Sequence, residues 1–216
     1  DILFDRKMLY TGERKMKKLS VVFFVSMAFV LASCGSTKVE RVSADTQIDL
    51  SGNWNDTDVR IAAKDLIDSC LSSKAIINFP VANNGKRPVV IVGSFKNLSD
   101  EHIDTVILTK QLEATLINSG EVEFVSAKSE REEIRDERFD QLEFASPETQ
   151  KALKNEIGAD FIMQGSIRTI VDSDKDKFTR TYFIDAELVD IETTKKQWVG
   201  NNNSIKKIIK RSGAKF

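Results

Sequence analysis

The fold is decided by two segments that read FIMQGSIRTIV (residues 161–171) and TYFIDAEL (residues 181–188). In each, apolar side chains alternate with polar ones, which is typical of a β-strand with one buried face. The polar sequence DSDKDK (residues 172–177) between them predicts a turn. A third strand is predicted from Gln197 to about Ile205, so the last third of the chain is interpreted as an antiparallel meander.

Upstream of the meander, the sequence PVVIVGSF (residues 88–95) contains a continuous β-branched run at 89–92. Such a run predicts a central strand buried on both faces. A further short strand is predicted over Val122–Ala127. Residues 74–88 are interpreted as a loop with a short helical turn.

Four helices are predicted between and before these strands. The first follows capping side chains at 53–58 and has apolar residues at a spacing of three to four: Val59, Ala62, Ala63, Leu66, Ile67, Cys70 and Leu71. The second covers 103–117, and Gly120 after it provides the signal that stops the helix. Its apolar face is predicted to comprise two rows, Ile103/Ile107/Ala114/Ile117 and Leu108/Leu112/Leu116.

The other two predicted helices follow Val122–Ala127. One covers 129–142 and is strongly charged, and the other starts with Ser146 as N-cap and Pro147 and continues to about Ile157. The order of elements predicts an α+β domain with a mixed β-sheet flanked by helices and an antiparallel C-terminal meander. Its span is predicted as residues 51–216, with Lys206–Arg211 as a frayed, solvated end.

Composition excludes several classes of protein. The 216 residues are 41% hydrophobic and 30% charged with a net charge of −1, which suits one ordered domain and gives no basic field for nucleic acid. Two cysteines exclude a disulfide-dense module and a cysteine-built zinc site, and one histidine, His102, leaves little for a histidine-based site.

Sequence motifs for catalysis are absent. The chain has no Gly-x-Ser-x-Gly, Gly-rich phosphate loop, His-Glu-x-x-His or Cys-x-x-Cys. His102 is interpreted as part of a solvated polar loop rather than as a metal ligand. The Asp/Asn-rich stretches 53–58 and 172–176 are interpreted as a helix cap and a turn, since they lack the glycine and final glutamate of an EF-hand. We therefore expect no enzyme activity, no metal or other cofactor and no small-molecule substrate.

The N-terminal region resembles a bacterial targeting sequence. Residues 1–15 are interpreted as a non-native or wrongly started leader, and 16–33 as a lipoprotein signal peptide whose apolar core has 14 residues. The sequence Leu31-Ala32-Ser33-Cys34 resembles a lipobox, which predicts lipidation of Cys34. The alternative is an ordinary signal peptide with a chance cysteine at its end.

Residues 34–50 are predicted to be the lipidated cysteine and a short tether. Acyl chains on Cys34 would attach the chain stably to a membrane, because each buried methylene contributes about 0.8 kcal/mol. Gly35 rather than aspartate after the cysteine favours the outer membrane, by resemblance to enterobacterial sorting. The remaining cysteine, Cys70, lies on the apolar stripe of the first helix and is predicted to be a buried free thiol.

The charged helix has two interpretations. One is a solvated helix stabilised by its own i,i+3 and i,i+4 ion pairs, and the other is a docking surface for a partner. For the second interpretation the candidate contacts are Glu130, Arg131, Arg135 and Arg138. Trp54 and Trp198 are further candidate interface anchors, with packing in or beside the core as the alternative for Trp198.

Five segments, in their order along the chain, resemble the LpoB family of lipoprotein activators of class A penicillin-binding proteins. They are SGNWNDTD (51–58), PVVIVG (88–93), EREEIRDERFDQ (130–141), GADFIMQG (158–165) and KQWVG (196–200). The resemblance implies a fold like the N-terminal domain of TolB. It also implies an outer-membrane lipoprotein that faces the periplasm, binds a peptidoglycan synthase and stimulates glycan polymerisation and cross-linking.

One feature departs from the enterobacterial members, which carry a long Pro-rich tether across the periplasm. Here about 16–19 residues separate Cys34 from the domain, and their full extension is about 65 Å at most. Either the synthase reaches toward the outer membrane, or the partner lies near the membrane that anchors this chain. The alternative function is a structural or assembly lipoprotein of an outer-membrane secretion complex with a TolB-like domain.

Overall fold

The computed structural model describes residues 38–43, 46–151, 156–174 and 176–210. The predicted leader, the signal peptide and Cys34 lie outside the described residues. The chain divides into two units, residues 1–46 and 47–216. The described residues of the first unit, 38–43 and 46, form neither helix nor strand. All helices and strands named below belong to the second unit.

Helix α1, Asp56–Leu71, begins at a capping box. The side chain of Asn55 accepts hydrogen bonds from the backbone of Thr57 and Asp58, at 3.0 and 3.2 Å, and the Asp58 carboxylate accepts one from the Asn55 backbone at 2.9 Å. These bonds satisfy the first N–H groups of the helix, which have no partner within it. The predicted apolar stripe is confirmed, since all its members except the partly buried Leu71 are buried.

Two short helices occupy the segment predicted as a loop with a helical turn. They are α2, Lys74–Ile77, and α3, Phe79–Ala82. Phe79 packs edge-on against Phe161, with ring centroids 5.4 Å apart. Phe79 is partly buried and packs against the hydrophobic core, to which Phe161 belongs.

Strand β1, Val89–Asn97, lies inside the sheet and pairs in parallel with β2, Glu123–Phe124, and with β3, Phe161–Asp174. The predicted strand at 122–127 is thus shortened to two residues. The prediction that β1 is buried on both faces is wrong. Val90 and Val92 are buried, but Ile91 is partly exposed and Ser94 is exposed, because the helix that packs on β1 covers one face.

Helix α4, Thr105–Ser119, packs on β1 and α1 and ends at Gly120, whose φ of 71° is left-handed. The prediction of two buried rows is wrong for the part of one row that lies on the helix, whereas its first member, Ile103, is buried just before the helix begins. The row of Leu108, Leu112 and Leu116 is buried, whereas Ile107 and Ile117 are more than half exposed. One row of a straight helix fills the contact with the sheet and α1, so the neighbouring row is left at the surface.

Helix α5, Lys128–Phe144, is the charged helix and buries no side chain. The helix predicted after it is absent from the described part of its range, where residues 147–149 form a turn. The amide of Gln150 donates to the carbonyls of Leu142 and Ala145, at 3.4 and 3.0 Å. Residues 145–150 therefore cap the end of α5 instead of opening a new helix.

Strand β3 continues into an antiparallel hairpin with β4, Lys177–Asp190. The predicted turn at 172–177 is shorter in the structure, because pairing extends to Asp174 and Lys177. The alternation along β4 is confirmed, with Tyr182, Ile184, Ala186 and Leu188 buried. At β3, a Cβ on Gly165 would overlap the Asp185 carbonyl and the Phe95 ring, so glycine allows close strand approach there.

The prediction of a frayed C-terminal end is wrong for the residues that the structure describes. After β5, Lys196–Asn202, the chain forms β6, Lys206–Lys210, which pairs with residues 177–181 of β4. Strand β4 is longer than β5, so its first residues would otherwise leave unpaired backbone groups at the sheet edge. β6 satisfies them.

The six strands form one sheet in the order β2-β1-β3-β4-β5, with β6 also on β4. Helices α1 and α4 pack against each other, α4 packs on β1 and α1 on β5. One hydrophobic cluster joins these helices to the inward residues of the sheet, including Val90, Met163 and Leu188. The predicted α+β class, with a mixed sheet flanked by helices and an antiparallel C-terminal meander, is confirmed.

Candidate partner-binding surfaces

His102 and Cys70 are the histidine and the cysteine in the described part of the chain. No group of three or more His, Cys, Asp or Glu side chains there is placed to hold a metal ion. His102 lies in an exposed loop, as expected. Cys70 is a buried free cysteine, and burial raises the pKa of its thiol to about 12, which makes it unreactive. No described helix combines the length and the apolar character needed to cross a membrane.

Trp54 lies in a polar and aromatic network before α1. Its ring packs against Tyr182 with centroids 5.1 Å apart, and its backbone N–H donates to Glu101 at 3.1 Å. The Tyr182 hydroxyl donates to the same carboxylate at 2.7 Å, and Arg180 forms ion pairs with Glu101 and, at 2.9 Å, with Asp100. Burial and the bond to Glu101 raise the pKa of Tyr182. The network joins the loop before α1 to β4.

Lys207 of β6 binds residues at and before the start of α1. Its ammonium lies 2.7 Å from the Asp58 carboxylate and 3.0 Å from that of Asp49, and it donates to the Asn53 carbonyl at 2.8 Å. Burial raises the pKa of Asp58, and the bond to Lys207 opposes that shift. The capping box of α1 is thereby tied to the last strand.

Trp198 lies on β5 opposite Leu188, on the face that α1 covers. Its indole N–H donates to the Ser69 hydroxyl at 3.3 Å, and the side chain is partly buried against the core. A Cβ on Gly200 would overlap the indole, so this glycine makes room for the ring. Trp198 is therefore packed beside the core over much of its surface, which is one of its two interpretations.

Three arginines of α5 meet at one carboxylate. Arg135 makes two hydrogen bonds of 2.8 Å with Glu156, and Arg138 and Arg131 lie 3.3 and 3.8 Å from it. The bonds from Arg135 lower the pKa of Glu156, and the charges of the other arginines add to this effect. Glu130 pairs with Lys110 of α4 and accepts a hydrogen bond of 3.0 Å from the Ala127 backbone.

The ion pairs of α5 differ from those expected. The sequence predicted i,i+3 and i,i+4 pairs along the helix, but in the described part of the chain no ion pair within 4 Å joins two residues of α5. Its arginines and Glu130 instead hold it to Glu156 and to α4. A helix without core contacts is fixed in this way by its charged groups.

Two surface grooves lie over residues of β1 and β3. One, of about 630 Å³, separates α4 from the start of α5 above Ile91 and Ile162. The other, of about 380 Å³, lies over the sheet face that carries Gln164, Arg168 and Asp185. Both are open to solvent.

Comparison with known proteins identifies the family. The profile described as "Peptidoglycan-synthase activator LpoB" matches residues 58–204, which is more than half of the chain. The chain belongs to the LpoB family. Among curated proteins, no sequence matches.

Solved structures of LpoB domains are similar to this LpoB-family chain, among them those from Salmonella enterica and Escherichia coli. The C-terminal domain of LpoB from Salmonella enterica is 15% identical, with 71% of this chain and 99% of that chain covered and a TM-score of 0.40. The C-terminal domain from Escherichia coli is 17% identical, with coverage of 67% and 96% and a TM-score of 0.42. Family membership rests on the sequence profile.

The structure does not bring the six candidate contacts of this LpoB-family domain together. Trp54 lies before the start of α1, Trp198 packs near its other end at Ser69, and the remaining four are on α5. Sequence reasoning missed Glu156, Arg180 and Lys207. Each is bonded to residues far along the chain, and a single sequence contains no spacing signal for such pairs.

Proposed function

We propose that this LpoB-family chain is an outer-membrane lipoprotein, anchored through acyl chains on Cys34, whose domain faces the periplasm. There it binds a class A penicillin-binding protein and stimulates glycan polymerisation and cross-linking. The observation that carries this proposal is the match of the family profile over residues 58–204. The family is described as peptidoglycan-synthase activators.

The proposed mechanism is a shift in the conformational equilibrium of the synthase. A binding protein raises the activity of an enzyme when it binds the active conformation more tightly than the inactive one. Such a protein needs a complementary surface and no reacting groups of its own.

The proposed contacts include Glu130, Arg131, Arg135 and Arg138 of α5. The exposed fractions of Arg135 and Glu130 are 42% and 40%, which leaves part of each side chain open to a partner. Trp54 and Trp198 are proposed as two separate contacts near the ends of α1. Both are partly buried, so their variants require a stability measurement beside any binding measurement.

Stimulation is tested with the full chain purified in detergent and each class A penicillin-binding protein of the bacterium that encodes it. The measurement is the initial rate of glycan polymerisation from lipid II, with cross-linking measured on the same product. We expect severalfold acceleration of one synthase at concentrations where the two proteins bind. Absence of binding and of acceleration with every synthase would contradict the proposal and favour an envelope-assembly role.

Anchoring is tested separately by Cys34→Ala in the native host. Without the thiol no acyl chain is attached, so we expect the protein to leave the membrane fraction. Ser33→Ala is the control, because it changes a neighbouring residue and keeps the thiol. An unchanged membrane fraction for Cys34→Ala would refute the lipid anchor without bearing on synthase binding.

A further inference from the structure

Helix α5 is stabilised by little besides its own backbone and a few ion pairs. None of its 17 residues is buried, although Ile134, Phe139, Leu142 and Phe144 are apolar. An isolated helix of this length is marginal in water, since most helical stability in proteins comes from packing of an apolar face. A surface helix that lacks such packing in the free protein has its apolar side chains available to another molecule.

The charges of α5 are divided between two faces. Arg131, Arg135 and Arg138 are three or four residues apart, lie on one face and meet Glu156. The other face holds six exposed carboxylates, those of Glu132, Glu133, Asp136, Glu137, Asp140 and Glu143. No Lys, Arg or His nitrogen of the described residues lies within 4 Å of any of them.

The six carboxylates oppose helix formation when the protein is free. Like charges four residues apart repel each other, and Glu132–Asp136, Glu133–Glu137 and Asp136–Asp140 are three such pairs. A cationic partner surface would remove this repulsion and gain Coulombic attraction. The negative charge of this face therefore favours a partner surface of positive charge.

Two aromatic side chains accompany the acidic face. Phe139 is 58% exposed and Phe144 is 74% exposed. Phe139 lies three residues after Asp136 and four before Glu143, and Phe144 lies four after Asp140, so each ring neighbours a carboxylate on the helix surface. Large exposed aromatic residues within a charged rim are typical of interface anchors. This second feature is independent of the charge and indicates a protein surface with apolar pockets, since an inorganic cation would gain nothing from the rings.

We propose that the acidic face of α5, with Phe139 and Phe144, is the surface that binds the synthase, at a Lys/Arg-rich region with apolar pockets for the two rings. This inference rests on the proposed function and assigns its main contact to the side of α5 opposite the arginines. The arginines hold the helix to Glu156 and so present the acidic face outward. Attraction between opposite charges speeds association and is screened by salt.

The test measures the affinity of the full chain for the class A penicillin-binding protein that it stimulates. Glu133→Gln/Asp136→Asn/Asp140→Asn neutralises the face, and Phe139→Ser/Phe144→Ser removes the anchors. The control Glu121→Gln/Asp172→Asn/Glu192→Gln makes the same change of charge at exposed sites elsewhere. We expect Kd to rise about tenfold for each α5 variant and to stay within about twofold for the control.

Further measurements make the outcomes distinguishable. Circular dichroism and thermal unfolding establish that each variant folds, which the exposure of all the substituted side chains favours. Raising the salt concentration should weaken the wild type more than the neutralised variant. If the wild type binds a synthase and the α5 variants bind equally well, this inference is wrong while the proposed function stands.

Two other outcomes overturn the inference in different ways. If the wild type binds no synthase, the proposed function fails and the inference fails with it. If the wild type self-associates in sedimentation and the neutralised variant does not, the occupant is a second copy. Its exposed Lys177, Lys206 and Lys210, on neighbouring strands β4 and β6, would be the basic side.

Discussion

Helices α1 and α5 have nearly the same length, 16 and 17 residues, and differ in what holds them. α1 buries eight side chains, has a capping box and contacts α4, β4 and β5. α5 buries none and is held by Glu156, by Lys110 and by its caps. The difference shows how one domain combines a helix fixed by apolar packing with a helix kept at the surface by charged groups.

This contrast has an energetic and a functional side. Burial of apolar side chains contributes about 25 cal/mol per Å² and depends little on salt, whereas exposed ion pairs contribute 0–1 kcal/mol each and are screened. We therefore expect α1 to unfold with the whole domain and α5 to open by itself. A helix that opens or adjusts locally is suited to contact with a partner.

The largest expected effect is that of Leu66→Ala in the core face of α1. Leu66 is 1% exposed, so its truncation leaves a cavity and should lower the free energy of unfolding by about 3 kcal/mol. The matched variant is Ile134→Ala in α5, where the side chain is 43% exposed and the expected loss is below about 1 kcal/mol. Urea unfolding measures both, and equal losses would contradict the comparison.

The next effect concerns Arg180→Met in the network that joins Trp54 to β4. Glu101 and Asp100 would lose their ion-pair partner, and the side chain of Glu101 is only 10% exposed, so we expect a loss of about 3 kcal/mol or somewhat less. Adding Glu101→Gln should recover part of it. Arg168→Met, in a pair whose side chains are about half exposed, is the control and should cost less than about 1 kcal/mol.

Acidification should destabilise both regions. Hydrogen bonds from Gln47, Lys207 and Asn55 lower the pKa of Asp49 to about 2, and the pKa values of Asp100, Glu130 and Glu156 are also lowered by their partners. A carboxylate with a lowered folded-state pKa stabilises the fold above its unfolded-state pKa, and this contribution is lost as the pH falls through the folded value.

The melting temperature should therefore fall as the pH is lowered from about 5 to about 2. Asp58, whose pKa burial raises, acts in the opposite direction and offsets part of the loss. Calorimetry at a series of pH values measures the change. A melting temperature that rises over this interval would show that Asp58 outweighs the four carboxylates.

The smallest effect on global stability is expected for Glu156→Gln. The variant keeps the shape of the side chain but removes the charge that the three arginines share, so α5 should open more often while the core is unchanged. Hydrogen exchange should become faster in the backbone amides of α5 and stay the same in those of α1. Faster exchange in α1 as well would show that the two regions are coupled.

Much of the fold follows from the sequence where local periodicity decides the structure. The alternation along residues 181–188 and the three-to-four spacing along α1 both produce the predicted buried faces. The cap residues before α1 and Gly120 after α4 mark helix ends as expected. These signals succeed because each depends on neighbours within a few residues.

Other predictions fail where a pattern has more than one tertiary solution. The two apolar rows of α4 are equally hydrophobic in sequence, but one faces the sheet. The run at 88–95 resembles a strand buried on both sides, and the placement of the helices leaves one side partly open. The last residues are polar enough to suggest a frayed end, yet the unpaired edge of β4 accepts them as β6.

For the candidate surfaces, the sequence by itself determined the charged character of α5 and the resemblance to a family of synthase activators. Tertiary structure decided which face of α5 has no ion-pair partner among the described residues. Glu156 lies 18 to 25 residues beyond the three arginines in the chain and forms ion pairs with them. It also decided that Trp54 and Trp198 lie near opposite ends of α1. Local sequence specifies the chemistry of a helix, and long-range pairing specifies which of its sides stays exposed.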